Sequence, residues 1–97
     1  MDEIEFEWDE SKNIKNQEKH QGVSFNEAQY AFTDKNRIIA EDLSHSEKEK
    51  RYFCFGLNQA KTGVLTVRFT YRLNKIRIFG AGYWRKGKKT YEQANTI

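Results

Sequence analysis

The sequence predicts a single α+β domain over residues 1–97, a strongly twisted antiparallel sheet with two N-terminal helices on its apolar face. Three observations carry that expectation. A chain of 97 residues buries one modest core and has no room for a second. Its first third carries helix-start and helix-stop residues, whereas residues 37–81 hold short runs rich in aromatic and β-branched residues. Two Trp, five Tyr and seven Phe supply compact hydrophobic mass to a chain otherwise poor in apolar residues.

The elements follow in order. From Ile4 to Trp8, apolar residues alternate with acids, which predicts a half-buried strand at a sheet edge, where charge discourages stray pairing. Asp9 stands at an N-cap position, and a helix runs from there to about His20, with Gly22 as its left-handed stop. Asp9, Lys12, Asn16 and His20 share one face of that helix, and Ile14 is its single aliphatic residue. Such a helix is held by something other than bulk burial. Ser24 and Glu27 form a capping box for a second helix, Phe25 to Phe32, stapled by Val23 and presenting Phe25, Ala28, Ala31 and Phe32 to the core. The two helices make a tight αα-hairpin.

The middle is β: strands at Arg37–Glu41, Arg51–Leu57, Val64–Arg72 and Lys75–Ala81, with a polar loop over Asp42–Lys50. Only Leu73 and Asn74 separate the last two strands, so they form a hairpin. A two-residue turn pairs Arg72 with Lys75, Thr70 with Arg77, Arg68 with Phe79 and Thr66 with Ala81 on one face. Tyr71 with Ile76, Phe69 with Ile78 and Val67 with Gly80 then occupy the other. By the same logic Phe53, Phe55 and Leu57 join the apolar face, with Phe55 opposite Leu65 across a loop at 58–62. Tyr52, Cys54 and Gly56 then fall on the basic face. The tail after Ala81 is basic and ends in a short helix.

Charge is unevenly spread. Residues 1–60 hold eight Lys/Arg against thirteen Asp/Glu, and residues 61–97 hold nine against one. The basic half suits an anionic partner, and the acidic front equally suits a basic one. Arg68, Arg72, Lys75 and Arg77, with Thr66, Thr70 and Tyr52, form either a phosphate-binding sheet face or an ordinary solvated one. Arg85, Lys86, Lys88 and Lys89 are either an RNA-backbone contact or a solvated tail. Tyr83 and Trp84 are base platforms or core lids. Lys19 and His20 are proton-transfer candidates, although a His at a helix end also answers the dipole. Asp9 reads first as a cap, Asn16 as a loop clamp and His45 as an exposed loop residue. The lone Cys54 rules out an internal disulfide and reads as a buried hydrophobe. The two histidines have no metal-ligand spacing, and no phosphate loop or nucleophile elbow is present, so no metal and no cofactor is expected. Nor is there a signal peptide or membrane span, which points to the cytoplasm.

The front of the chain, FEWDESKNIKNQEKHQGVSFNEA, resembles the BrnT family of bacterial toxins. Phe6, Glu7, Trp8, Asp9, Lys12, Asn16, Lys19, His20, Gly22, Val23, Ser24, Phe25 and Ala28 match the family's pattern, with Gln21 as an extra residue. Asp42, His45, Ser46, Glu49 and Arg51, then Val67, Thr70 and Arg72, and the run from Ile76 resemble later segments more loosely. The resemblance implies a RelE-like fold and a ribonuclease toxin of a type II toxin–antitoxin system. It implies RNA as substrate, a BrnA-like DNA-binding antitoxin as partner, and operator DNA reached only through that antitoxin. It also implies metal-independent cleavage by 2′-hydroxyl attack, with Arg72 and Arg77 stabilising phosphate and Lys19 or His20 moving protons. Gly80 and Gly82 stand where the family usually has Ser and Arg, and Arg85 is the candidate replacement for that Arg. Two readings from other classes remain open: a catalytically weakened nucleic-acid-binding module or corepressor, and an interaction protein docking a basic partner through Glu5 and Glu7.

Overall fold

The computed structural model describes residues 4–96. It contains β1 (Phe6–Glu7), α1 (Glu10–Lys19), α2 (Phe25–Ala28), β2 (Ile38–Glu41), β3 (Tyr52–Leu57), β4 (Val64–Arg72), β5 (Lys75–Gly82) and α3 (Arg85–Ala94). The strands form one five-stranded sheet in the order β1-β5-β4-β3-β2. The predicted fold class holds. Every pairing is antiparallel except that of β1, which runs parallel to β5 at the sheet edge.

The caps read from sequence are in place. Asp9 accepts from the Ser11 N–H at 2.9 Å and Ser24 from the Glu27 N–H at 3.1 Å. Gly22 donates to the Gln17 carbonyl at 2.8 Å, closing α1. The stop is shared: the extra residue Gln21 also takes a left-handed φ of 55°, beside 81° at Gly22. The second helix is shorter than predicted, because its last turn tightens into a 3-10 segment, Gln29–Thr33. Its core face is as expected, with Phe25, Ala28, Ala31 and Phe32 all buried.

The unusual polarity of α1 has a structural reason. β1 pairs with β5 only at Ile76 and Arg77. Beyond them Asn16 covers the strand edge. Its side-chain amide donates to the Ala81 carbonyl at 2.9 Å and its oxygen accepts from the Ala81 N–H at 3.1 Å. The amide also donates to the Val23 carbonyl at 2.9 Å, the clamp expected of this residue. Asn13, one turn earlier, accepts from the Phe25 N–H at 2.8 Å. Ile14 faces solvent.

Two register predictions need correction. The β4–β5 hairpin pairs as expected from its Leu73-Asn74 turn, where both residues have positive φ, up to Phe69–Ile78. There a bulge inserts Phe79, so Arg68 pairs with Gly80, Val67 with Ala81 and Thr66 with Gly82. The β3–β4 loop spans 58–63, and Phe55 lies opposite Thr66, not Leu65. The faces of β3 are therefore reversed. Cys54 and Gly56 belong to the main core, where Gly56 passes so close to the Ala31 carbonyl that no side chain fits. Tyr52 is on that side too, stacked on Phe69 at 5.5 Å, not on the basic face. Cys54 is the buried hydrophobe expected, and burial pushes its thiol up to about 12.

Phe53, Phe55 and Leu57 face the other way and join a second small core with Val64 and Tyr91 of α3. Gly87 permits this packing, because a Cβ there would fall on the Thr66 hydroxyl and the Phe55 ring. Tyr91 donates to Asp34 Oδ2 at 2.6 Å, and the Leu57 N–H reaches the same oxygen at 2.9 Å. Burial works against the Asp34 charge. The hydrogen bonds from Tyr91, Leu57 and Asn36 outweigh it and hold the carboxyl below the usual carboxylate range.

Asn16→Ala leaves three buried backbone groups unpartnered and is expected to lower stability by about 3 kcal/mol, read from the urea midpoint at unchanged m. Because the folded Asp34 value lies below the unfolded one, its contribution is complete above about pH 4 and fades as pH falls through the folded value. Asp34→Asn is therefore expected to flatten the decline of stability as pH falls below about 4. An unchanged slope would show that this carboxylate is not the one being titrated.

Candidate functional site

The sheet face opposite the main core is built in rows set by register. Under α3 lie Ile38, Phe55, Thr66 and Gly82; next come Ala40, Phe53, Arg68 and Gly80. A polar row follows, in which the Asp42 N–H binds the Arg51 carbonyl at 2.7 Å, Thr70 donates to the Lys50 carbonyl at 2.6 Å and pairs with Arg77, and Arg77 lies beside Glu7. The face thus runs from apolar under the helix to charged at the open end. The bulge residue Phe79 carries the Arg51 guanidinium 4.5 Å from its ring centre and the Lys12 ammonium at 5.6 Å.

The expected basic cluster exists, but it is not free of acids. Parallel pairing of β1 brings Glu7 to Arg77 at 3.1 Å and Glu5 to Lys75 at 3.7 Å. Glu49 binds Arg72 at 3.1 Å. These partly exposed pairs add little stability, but they cancel charge and leave Glu5 and Glu7 engaged with this chain's own cations. Among the described residues, Arg68 and Arg51 have no carboxylate at ion-pair distance. The Arg51 Nε is buried without a partner.

Arg68 lines a cleft of about 310 Å³ together with Phe53, Phe55, Trp84, Lys86 and Thr90. Trp84 is half exposed; its indole lies over Gly82, and the His20 ring meets it edge-on at 5.0 Å. Tyr83 turns to the opposite side, donating to Glu27 at 2.6 Å and accepting from Asn58 at 3.1 Å. In the polar row the Asp42 carboxylate is buried and bonded to Ser44 and His45. Burial opposes its charge; the Ser44 hydroxyl, His45 and the nearby Arg68 prevail and hold it below the usual range.

The structure therefore gathers Arg68, Arg72, Lys75 and Arg77 on one face and brings Lys86 to the cleft. Arg85 and Lys88 line a separate cleft of about 420 Å³ beside Tyr83 and Lys61, and Lys89 is exposed on α3. Lys19 is exposed at the end of α1, with His20 following against Trp84. Tyr52 is excluded from the face. Asp42, Arg51, Phe53 and Phe79 went unselected as site residues, although Asp42 and Arg51 lie in the loosely matching segment noted above.

A family model described as the ribonuclease toxin BrnT of type II toxin–antitoxin systems matches residues 8–87. The chain belongs to the BrnT family. It is thus a member of a ribonuclease toxin family whose type II organisation implies an antitoxin partner. No curated protein matches the chain significantly. No helix of the described residues is long and apolar enough to cross a membrane.

Gly80 and Gly82 differ in what they allow. A Cβ on Gly80 meets nothing closer than Asn16 Oδ1 at 3.7 Å and Arg68 Cδ at 3.8 Å. One on Gly82 falls 2.9 Å from the Trp84 ring. Gly80→Ser is expected to change stability by no more than about 0.5 kcal/mol. Gly82→Arg must displace the indole and is expected to cost about 1–3 kcal/mol. Unfolding followed by Trp fluorescence checks both, and equal effects would contradict the packing described.

Proposed function

We propose that the chain cuts RNA without a metal ion, by attack of the RNA's own 2′-hydroxyl on the neighbouring phosphate. It acts in the cytoplasm, inhibiting translation and growth until a BrnA-like, DNA-binding antitoxin neutralises it, and meets operator DNA only through that antitoxin. The observation that carries this reading is Arg68, a cation with no acid partner among the described residues that lines an aromatic-walled cleft. A guanidinium presents paired donors to phosphate oxygens, and Phe53 and Trp84 offer a surface for an unstacked base. Phosphorane charge needs preorganised cations, and the nucleophile is already part of the RNA. Lys86 extends the positive rim. Arg72 and Arg77 contribute once phosphate displaces Glu49 and Glu7, which makes binding sensitive to salt.

A second reading has its own support. The pairing of Arg72, Arg77 and Lys75 with acids, together with an indole over Gly82, suits a weakened toxin that binds nucleic acid and its antitoxin without cutting.

The two are separated by incubating the purified chain with a single-stranded RNA oligonucleotide in EDTA. The nuclease is expected to leave 2′,3′-cyclic phosphate and 5′-hydroxyl ends and to spare a strand carrying 2′-deoxy sugars. Arg68→Ala is expected to lower kcat/KM by about 10²- to 10³-fold. Binding without cleavage, with or without added Mg²⁺, would instead establish the weakened toxin.

A further inference from the structure

We propose that His45, oriented by Asp42, is the general base of this cleavage; the inference rests on the ribonuclease reading above. Asp42 is only 5% exposed and directs both carboxylate oxygens at its own loop. Oδ1 accepts from Ser44 Oγ at 3.0 Å, and Oδ2 lies 2.9 Å from His45 Nδ1. Its backbone is held as firmly, with Ser46 Oγ donating to the Asp42 carbonyl at 2.6 Å. An ionised carboxylate can only accept, so Nδ1 carries a proton, and in the neutral ring Nε2 keeps its lone pair. The His45 side chain is 55% exposed, which leaves that lone pair accessible to a ligand.

The position is as telling as the pair itself. Asp42 ends the polar row that continues through Arg51, Thr70 and Arg77, and the Arg68 charge acts on its carboxylate. The exposed imidazole therefore sits on the loop that adjoins Arg51 and Arg68, neither of which has a carboxylate at ion-pair distance among the described residues. A buried carboxylate spent on an exposed ring gains little stability, but it fixes the ring's tautomer and direction, as an orienting acid does for a catalytic histidine. His20 lacks this arrangement: its ring rests on Trp84, and among the described residues no carboxylate bonds it.

In the step, Nε2 takes the proton of the 2′-hydroxyl as the 2′-oxygen bonds to phosphorus. The bond from phosphorus to the 5′-oxygen breaks, and that oxygen takes a proton from water. Arg68 balances the charge on the non-bridging oxygens. The imidazolium then returns its proton to solvent, leaving a 2′,3′-cyclic phosphate and a 5′-hydroxyl.

The test uses the full chain and the same RNA oligonucleotide in EDTA. His45→Ala is expected to lower kcat by about 100-fold or more with KM little changed, and added imidazole is expected to restore part of the rate. His45→Gln keeps a donor for Asp42 but no base, so it is expected to be as slow as His45→Ala. Cleavage by either variant at the parent rate would overturn the proposal, as would recovery in His45→Gln or a loss in His45→Ala that imidazole does not relieve. Those results leave the ribonuclease reading standing. An intact oligonucleotide with the unmutated chain removes that reading and this inference together.

Discussion

The side-chain amide of Asn16 does the work of a missing strand. It has the same donor and acceptor as a peptide group, and it uses both on Ala81 at an edge of β5 that β1 does not reach. Without it a buried N–H and two buried carbonyls have no partner, a larger loss than any single apolar contact α1 makes. The polar comb along α1 then makes sense member by member. Asp9 caps the helix, Lys12 stands over Phe79, Asn16 closes the sheet, and His20 follows at the helix end against Trp84. A helix fixed by hydrogen bonds to a strand edge is fixed in rotation as well as position. Its far end can then brace the segment that leads from β5 into α3.

The caps, the polar stripe and the Asn16 loop clamp were legible in the residues, because these are local signals. The register of β3 was not. In Tyr52–Leu57 both alternating sets are apolar or small, so period-2 alternation has no contrast from which to choose a face. The structure has a use for both faces: Tyr52 and Cys54 meet the main core, while Phe53 and Phe55 meet α3. The sign of the second core was present in the tail, where Gly87 and Tyr91 lie four residues apart and are the two buried residues of α3. The bulge at Phe79 was equally invisible, since no local rule announces one extra residue inside a regular strand.

Charge taught a similar lesson. Counting Lys and Arg on β4 and β5 finds a cationic face, but the acids that neutralise it come from β1 and from the loop holding Glu49. Those contacts join residues separated by between 23 and 70 positions. The front half of the chain is acidic in part because it lies against the basic half. On this face, geometry leaves Arg68 and Arg51 without an acid partner among the described residues, each beside aromatic surface.

The site is therefore a product of the rows across the sheet more than of any motif. α3 covers the apolar end and leaves an aromatic cleft where its cover stops. The chain between β2 and β3 folds over the charged end and is tied down by Thr70 and Arg72. Arg68 stands where the two regimes meet, among the aromatic rings of the cleft on one side and acting on the Asp42 carboxylate on the other. At the remaining border Trp84 fills the space over Gly82, so a long cation at that position and an indole at the next helix entrance exclude one another. The indole that occupies this space gives the cleft an aromatic wall. The positive charge beside that wall comes from Arg68 of β4 and Lys86 of α3, which line the same cleft.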